Sequence, residues 1–444
     1  MPQYQAPRGT RDLLPSDAAA LDRIAEVILA RALRYGYPRI ETPLFEDREV
    51  FVKGSGETSD IVGYEMFEVL LHGEPGLALR PEGTPAVARA LLQHGLHRAP
   101  RPVRCSYFEP MFRGQRPQLL RFRQFWQWGL ECFGAEEPSA DVEIVEFTAA
   151  LHADLGLTDV ELVVNTIGDA ACRPKLKEAL SAYFGKHRDA LSEASQRRLE
   201  TNVLRVLDSK DPQDREVIKG SPDLHGLLCA ADRAHFDAFV GGLDRLGIRH
   251  RVDPTLVRGL DYYTRTVCEF ILTDPEFTRA GDIAVAGGGR YDGLVATLGG
   301  PDMPGTGIAG GVDVLIAALR QQGVTLPGEP VAEVWVLSGQ ADDVADRIQL
   351  AAPLRDAGFR VAVEYSTRPL DRQLENAVKH GATVAVIRGT EEARGGNVIV
   401  RDLAKKEQRV TRLAAVVTEV GRHAPRYAKP ALAASGGAGA AGAA

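Results

Sequence analysis

The sequence lacks long hydrophobic runs and paired cysteines. In its 444 residues no run reaches the roughly 18 apolar residues of a membrane-spanning helix. Its cysteines are odd in number and form no C-x-x-C pair, which argues against a disulfide framework and a zinc finger: Cys105, Cys132, Cys172, Cys229 and Cys268. The N-terminus has no apolar signal core, so we expect a reduced, cytoplasmic protein that does not enter a membrane.

Several catalytic motifs are also missing. There is no G-x-x-x-x-G-K-[ST] loop, no H-E-x-x-H and no G-x-S-x-G, so P-loop, zinc-protease and α/β-hydrolase chemistry are excluded. We expect no metal site. Gly305, Gly307 and Gly310 match G-x-G-x-x-G, but Pro304 precedes them and no β-α-β unit begins there. The interpretation of the chain as a nucleotide-binding oxidoreductase therefore rests on this weak motif alone.

The charge is acidic overall but unevenly distributed. The chain has 53 basic and 60 acidic residues, a net charge of −7, which taken alone argues against a nucleic-acid partner. However, residues 98–123 contain seven arginines and one acid, and residues 330–429 contain 16 basic and 13 acidic residues. This distribution fits a nucleic acid contacted at a few cationic patches rather than wrapped.

The length favours two to four domains. Helical periodicity is clear over residues 17–36, with Ser16 or Asp17 as the expected cap, and a strand-like piece follows over 38–44. Residues 103–112 and 121–133 read as aromatic-rich strands, 170–250 as helical, and 331–423 as alternating strands and helices. We expect a core domain from 1–169 and 251–325, a helical insertion at 170–250, an α/β domain at 331–425 and a disordered Ala/Gly tail at 426–444.

Three groups of polar residues suggest a binding site. Arginines interleaved with aromatic residues over 98–123 are typical of phosphate or carboxylate recognition. Glu82, Gln127 and Glu131 could hold a zwitterion such as an amino acid, although a salt-bridged sheet surface remains an alternative. The run from Leu256 to Arg265 places cations and tyrosines inside a predicted strand. The glycines at 287–289 allow either close approach of a ligand or a tight hairpin.

These motifs resemble those of the histidyl-tRNA synthetase family, which are class II aminoacyl-tRNA synthetases. The resemblance spans roughly residues 4–423, and its most specific pieces are APRGTRDLLP, LRPEGT, EPMFRGQRPQ, RFRQFWQWGLECFG, LVRGLDYYTRT and GGGRYDGL. It implies an α+β fold: an antiparallel catalytic sheet flanked by helices, a helical insertion and a C-terminal α/β anticodon-binding domain.

The resemblance also implies an activity and its residues. The expected reaction activates L-histidine with ATP and Mg²⁺, releases pyrophosphate and charges histidine tRNA. Arg113 and Arg258 match the catalytic arginines, which with Arg121 bind ATP. Arg116 and Gln118 lie in the loop that approaches the tRNA acceptor end, and Pro43 matches the proline at the homodimer interface. The residues that match histidine-binding positions are Glu82, Thr84, Gln127, Glu131, Tyr262 and Tyr263.

One position departs from the family pattern. The third class II motif ends in Gly-x-acid-Arg, whose arginine reaches the ATP γ-phosphate, but this chain has Gly311-Val312-Asp313-Val314. Either another cation takes that role or ATP binds more weakly. Val314 is also the one feature that favours a non-charging paralogue, such as the regulatory subunit of ATP phosphoribosyltransferase, although residues 331–423 and the substrate-site residues argue against that alternative.

Overall fold

The N-terminal part of the chain is organised around one seven-stranded sheet. The protein is described by a computed structural model that covers residues 4–56, 59–116, 120–279, 282–328, 331–339 and 344–427. It forms two compact units, which meet in the sequence between Gly328 and Glu329. Residues 428–444 of the tail predicted at 426–444 lie outside the described residues, as does Gln118.

The strands of the first unit form a small sheet (β1-β3-β2) and a large one in the order β4-β5-β10-β9-β8-β6-β7. All neighbours in the large sheet are antiparallel except β6 and β7. The strands are β1 (Phe45–Asp47), β2 (Glu68–Leu71), β3 (Glu74–Leu79), β4 (Val103–Phe112), β5 (Gln124–Phe133), β6 (Val160–Thr166), β7 (Arg251–Val252), β8 (Thr264–Leu272), β9 (Ala284–Arg290) and β10 (Gly305–Gly311).

Helices cover both faces of the large sheet. The helices of the first unit are α1 (Pro15–Arg34), α2 (Arg48–Ser55), α3 (Thr84–Gln93), α4 (Pro138–Leu155), α5 (Arg173–Lys186), α6 (Glu193–Thr201), α7 (Pro212–Ile218), α8 (Ala230–Arg245), α9 (Pro275–Thr278), α10 (Leu294–Thr297) and α11 (Val312–Gln321). Helices α1, α4, α8 and α11 share one buried core with Trp128 and Leu130 of β5. Helices α3 and α10 pack with Tyr107 and Phe133 on the opposite side. Helix α8 belongs to that first core, although it lies inside the range predicted as an insertion.

The second unit is a five-stranded sheet in the order β12-β11-β13-β14-β15. β11 pairs in parallel with β12 and β13, while β13–β14 and β14–β15 are antiparallel. Apolar cores lie on both faces of the sheet. Its elements are β11 (Val334–Ser338), α12 (Val344–Asp356), β12 (Val361–Val363), α13 (Leu370–Lys379), β13 (Val384–Arg388), α14 (Thr390–Arg394), β14 (Asn397–Asp402), β15 (Glu407–Arg412) and α15 (Val416–Val420).

Some local predictions were wrong. Leu14, not Ser16 or Asp17, precedes helix α1, and its apolar side chain cannot accept a capping hydrogen bond. Pro15 at the first helical position removes one of the N–H groups that lack a partner within the helix. The strand-like segment 38–44 makes only one isolated bridge, between Arg39 and Ser106, because prolines 38 and 43 cannot donate to a ladder. Within the described residues, no helix is both long and apolar enough to cross a bilayer.

Candidate active site

The antiparallel pair β4–β5 carries the polar face on which the site is built. Gln127 and Glu131 alternate along β5 with Trp128 and Leu130, so the apolar side chains enter the core and the polar ones face the other way. Both polar residues are nevertheless buried. This face forms the floor of a cavity lined by Glu82, Thr84, Tyr107, Arg113, Gln127, Arg258, Leu260, Tyr262, Tyr263, Gly287, Tyr291, Gly307, Ile308 and Ala309.

Glu131 lies beneath this cavity with both carboxylate oxygens engaged. Thr84 Oγ1 donates to Oε1 at 2.6 Å, and the Tyr291 hydroxyl donates to Oε2. Burial raises the pKa of Glu131 to about 8, although both hydrogen bonds act to lower it. Gly307 makes the close approach possible, because a Cβ there would lie 2.2 Å from Glu131 Oε2. The site therefore holds a carboxyl group that titrates near neutral pH.

Glu82 is the second buried carboxyl group, held in place by two hydroxyl donors. Ser55 donates to Oε1, and Tyr262 Oη donates to Oε2 at 2.9 Å. Burial raises the pKa of Glu82, and the nearby charges of Arg113 and Arg258 act in the opposite direction. An ammonium group bound here would find an acceptor that is already positioned.

Arg113 lies at the end of β4, where its Nε donates to the Pro81 carbonyl at 2.9 Å. Its guanidinium also lies over the Phe125 ring, 5.4 Å from the centroid. Phe125 and Gln127 share a face of β5. The arginine is thus fixed at its base and presents a cation beside an aromatic surface on the site's side of the sheet.

Arg258 provides the second cation, and its Nη1 donates to Glu269 on β8. Burial alone would lower its pKa, but Glu269 together with Tyr263, Tyr262 and Cys268 outweighs that effect and the pKa is raised, so the guanidinium stays charged. The group lies against Gly287, where a Cβ would be 2.5 Å from Nη1. Only glycine at 287 leaves room for Arg258 in this position.

Among the described residues that line the cavity, three buried polar atoms have no hydrogen-bond partner: Tyr107 Oη, Gln127 Oε1 and Arg258 Nε. Buried polar groups are almost always satisfied in folded proteins. Gln127 also lines the cavity, so its free acceptor is satisfied most simply by a donor on a bound ligand. The arrangement of two carboxyl groups, two guanidinium groups and a free amide oxygen suits a small ligand with both ammonium and anionic groups.

The structure brings most of the predicted site residues together, but not all. Glu82, Thr84, Gln127, Tyr262, Tyr263, Arg113 and Arg258 line the cavity, and Glu131 supports it. Arg121 lines a separate depression with Arg197, Arg198 and Lys210. Arg116 and Pro43 are exposed.

The run from Leu256 to Tyr263 is not a strand, which corrects the prediction. Strand β8 begins only at Thr264. Asp253 Oδ1 accepts hydrogen bonds from the backbone N–H of Thr255 at 2.9 Å and from its hydroxyl at 2.6 Å, which closes a turn at Pro254. The tyrosines and Arg258 therefore lie on an irregular segment that reaches across the cavity. Glycines 287–289 form part of strand β9 rather than a hairpin.

Sequence reasoning missed three residues that organise the site. Ser55 and Glu269 gave no local signal, because each acts on a residue distant in the sequence or on another element. Tyr291 stood in the recognised glycine-rich run but received no role there. Its position next to Arg290, in a run where glycines mark close packing, was the signal that could have identified it.

Val314 lies on helix α11 and packs, partly buried, against the main core. Its neighbour Asp313 accepts a hydrogen bond from Arg11 Nη2 at 2.7 Å and one from the Trp126 backbone N–H at 3.0 Å. The Arg11 guanidinium also lies over the Phe122 ring, 4.6 Å from its centroid. A cation from the N-terminal segment is therefore held at the start of α11, adjacent to the position where the family arginine is missing.

Comparison with known proteins gives a consistent result. A family model described as histidyl-tRNA synthetase matches residues 9–315, and one described as anticodon binding domain matches residues 333–423. The chain belongs to the histidyl-tRNA synthetase family. It is 42% identical over 420 residues to a histidine–tRNA ligase of Desulforudis audaxviator, which covers 94% of this chain and 98% of that one.

Other relatives support the same assignment. A histidine–tRNA ligase of Mycobacterium bovis is 39% identical over 419 residues, 94% of this chain and 97% of the relative. The crystal structure of apo S. aureus histidyl-tRNA synthetase matches with a TM-score of 0.77 and 31% identity, covering 94% of this chain and 99% of that one. These matches to histidyl-tRNA synthetases support histidine–tRNA ligation and the class II fold with its C-terminal anticodon-binding domain, and they do not favour the regulatory paralogue.

Proposed function

We propose that the cavity on β5 binds L-histidine and ATP and forms histidyl adenylate, from which histidine passes to the 3′ end of histidine tRNA. The observation that supports this most directly is the enclosure of two carboxyl groups and two arginines around one cavity. The substrates carry the complementary charges. Their reaction also requires two anions to meet, which the arginines make possible.

Glu82 is proposed to accept hydrogen bonds from the α-ammonium group of histidine. Glu131, supported by Thr84 and Tyr291, is proposed to accept the imidazole N–H, and Gln127 offers its unpartnered amide oxygen to a second donor. Tyr262 and Tyr263 form the wall above them. A site that matches buried acceptors to ligand donors rejects ligands without those donors by large factors.

The proposed activation step needs no side-chain nucleophile. A histidine carboxylate oxygen attacks the ATP α-phosphorus, the new O–P bond forms, and the bond to the β-phosphate oxygen breaks, so pyrophosphate leaves with the electron pair. Arg258 would neutralise the carboxylate and Arg113 the α-phosphate, where charge develops in the transition state. ATP is expected as its Mg²⁺ complex, in which the ion neutralises phosphate charge.

In the proposed second step the ribose hydroxyl of the terminal tRNA nucleotide attacks the histidyl carbonyl, and AMP leaves. Arg116 and Gln118 lie in the loop proposed to approach the acceptor end. The 333–423 unit is proposed to read the anticodon, which its family assignment supports. On the basis of the family resemblance, Arg121 is proposed to contact ATP. Arg121 also shares a cationic depression with Arg197, Arg198 and Lys210, which is equally compatible with a different phosphate-rich partner.

We also propose that the enzyme is a homodimer that meets at the segment containing Pro43. Leu44 is 47% and Phe45 53% exposed, and Leu70 and Leu71 of β2, which lies on the other side of β3 in the same small sheet, are more exposed still. Clustered exposed apolar side chains of this kind are typical of protein interfaces.

The deciding experiment is histidine-dependent exchange of labelled pyrophosphate into ATP, followed by charging of histidine tRNA. We expect exchange with histidine and none with other amino acids, and then accumulation of histidyl-tRNA. A folded protein that exchanges no pyrophosphate would contradict the proposal. Exchange without charging would restrict it to the first step.

A further inference from the structure

Three potential metal ligands from distant parts of the sequence meet beside the catalytic sheet. Cys172, Cys229 and Asp232 each offer one ligand atom, and these atoms lie within 4.8 Å of one another. We propose that they bind a thiophilic divalent cation, of which Zn²⁺ is the representative. The proposal is independent of the ligase reaction, because none of the three residues lines the substrate cavity.

The local sequence arranges these ligands in two matching turns. The first is Asp169-Ala-Ala-Cys172, which leads into α5, and the second is Cys229-Ala-Ala-Asp232, which opens α8. In the second turn both end residues are ligands, separated by two residues as in metal knuckles. In the first turn only Cys172 is a ligand, since Asp169 Oδ1 accepts hydrogen bonds from the N–H groups of Ala171 and Cys172. The sequence did not reveal this, because neither turn contains two cysteines.

The two turns are held face to face by backbone hydrogen bonds. The Cys229 N–H donates to Cys172 Sγ at 3.1 Å, and the Asp169 N–H donates to Asp232 Oδ2 at 2.8 Å. Gly168 packs closely against both turns, because a Cβ there would lie 3.1 Å from Leu176 Cδ1, 3.3 Å from Cys172 Cβ and 3.4 Å from Asp232 Oδ2. The hydrogen bonds and this close packing hold the two turns together, with the three ligand atoms within 4.8 Å of one another.

The donor set determines the class of cation. Two thiolates and one carboxylate favour zinc over the hard cations magnesium and calcium, which prefer oxygen ligands. With Zn–S near 2.3 Å and Zn–O near 2.1 Å, tetrahedral ligand atoms are separated by about 3.5 to 3.8 Å. The three ligand atoms lie within 4.8 Å of one another, which is a wider limit than these separations. Cys229 is only partly buried, so its side chain is the one that can move to shorten the distances. A water would take the fourth position.

The net charge around the site is the same with and without the ion. Arg265 donates to Asp232 Oδ1 at 2.9 Å and to Asp169 Oδ2 at 3.1 Å, so one guanidinium already neutralises part of the acidic charge. Binding would exchange two thiol protons for one divalent cation: each S–H bond breaks, its proton goes to solvent, and two S–metal bonds form. The net charge of the cluster does not change.

The test uses full-length protein that has been reduced, treated with a chelator to remove bound metal, and then separated from the chelator. After incubation with Zn²⁺ and gel filtration we expect one zinc per chain by elemental analysis. Co²⁺ in its place should give a thiolate charge-transfer band. Cys229→Ser should weaken zinc binding about 100-fold or more, since even partners outside the ligand set change metal affinity by 10- to 100-fold. Cys172→Ser should do the same.

Cys268→Ser is the matched control, because it removes a buried thiol on β8 and should retain the zinc. Circular dichroism and thermal melting check folding. If Cys172→Ser does not fold, the partly exposed Cys229 still decides the question. The proposal is wrong if the wild type binds no zinc, if Cys229→Ser binds it equally well, or if mass spectrometry finds a Cys172–Cys229 disulfide in protein that takes up no metal after reduction.

Discussion

Glu131 combines burial with a pKa near neutrality, and this has a consequence for stability. Burial raises its pKa to about 8 in the folded chain, whereas an unfolded glutamate titrates near 4.3. Between these values the folded state binds more protons than the unfolded state, so this residue's contribution to stability decreases as pH rises through that window. We propose that this decrease in stability is offset by the role of the Glu131 carboxyl group in recognising the substrate.

Above pH 8, where Glu131 is ionised, Glu131→Gln is expected to raise the KM for histidine about 10- to 150-fold, because a hydrogen bond to a charged acceptor is worth roughly 1.5–3 kcal/mol. In the wild type the KM for histidine should fall as pH rises through about 8, where Glu131 loses its proton. The variant should lack that step. Pyrophosphate exchange measured across this range tests both. The exposed Glu136→Gln is the control, and a retained step in Glu131→Gln would show that another group is titrating.

Glu269 shows how a residue can act through another. It accepts a hydrogen bond from Arg258 Nη1 and so fixes the position of that guanidinium. We expect Glu269→Ala to lower kcat for exchange about 100-fold, the cost of a small misplacement of a catalytic group, with a much smaller change in the KM for ATP. Glu269→Gln, which keeps an acceptor, should recover most of the rate. Equal losses in both variants, or in the exposed Glu276→Ala, would contradict a positioning role.

At the scale of elements, Asp313 at the start of α11 holds Arg11 beside Val314, the position where the family pattern has an arginine. We expect Arg11→Ala to raise the KM for ATP about 10- to 150-fold, the value of one charge-assisted bond. Val314→Arg should reverse this loss in the Arg11→Ala background and change the wild type little. Exchange kinetics at varied ATP measure both, with Arg23→Ala on α1 as control. A large decrease of KM in the Val314→Arg single variant would mean that the phosphate contact is unfilled.

Periodicity predicted the elements with one buried face, and long-range contacts decided the rest. Strand β4 was predicted at its observed bounds, and β5 was predicted three residues too long at its start, because alternating aromatic residues mark a half-buried strand. The hairpin β2–β3 and strand β15 were missed, because nearly all of their residues are exposed or only partly buried and leave no alternating pattern.

The same distinction applies to the site. Glu82, Gln127 and Glu131 could be recognised because they stand in specific motifs, and the structure brings them to one cavity. Ser55 and Glu269 could not, since their roles depend on which strands become neighbours. The proposed domain boundaries remain predictions, and α8 shows the difficulty: its helical pattern resembles the insertion, but Phe239 and Leu243 pack in the core of the catalytic sheet.

At the scale of the whole molecule, we expect the purified protein to elute with twice the 48.0 kDa chain mass in light-scattering chromatography. A Leu44→Asp and Phe45→Asp double variant should shift it toward a monomer, because a charge at the centre of an interface is strongly unfavourable. Leu246→Asp, an exposed leucine at the end of α8, is the control. A wild type that is monomeric at micromolar concentration would contradict the proposed dimer.

The parallel pairing of β6 with β7 places a requirement on the chain between them. Val163 lies opposite Arg251, and Val164 opposite Val252, so the chain must return to the same end of the sheet before it can pair. Such a return needs a dozen residues or more, and here the segment from α5 to α8 provides it. An insertion at this point therefore enlarges a crossover that the topology already demands, and its length can vary among relatives without changing strand order.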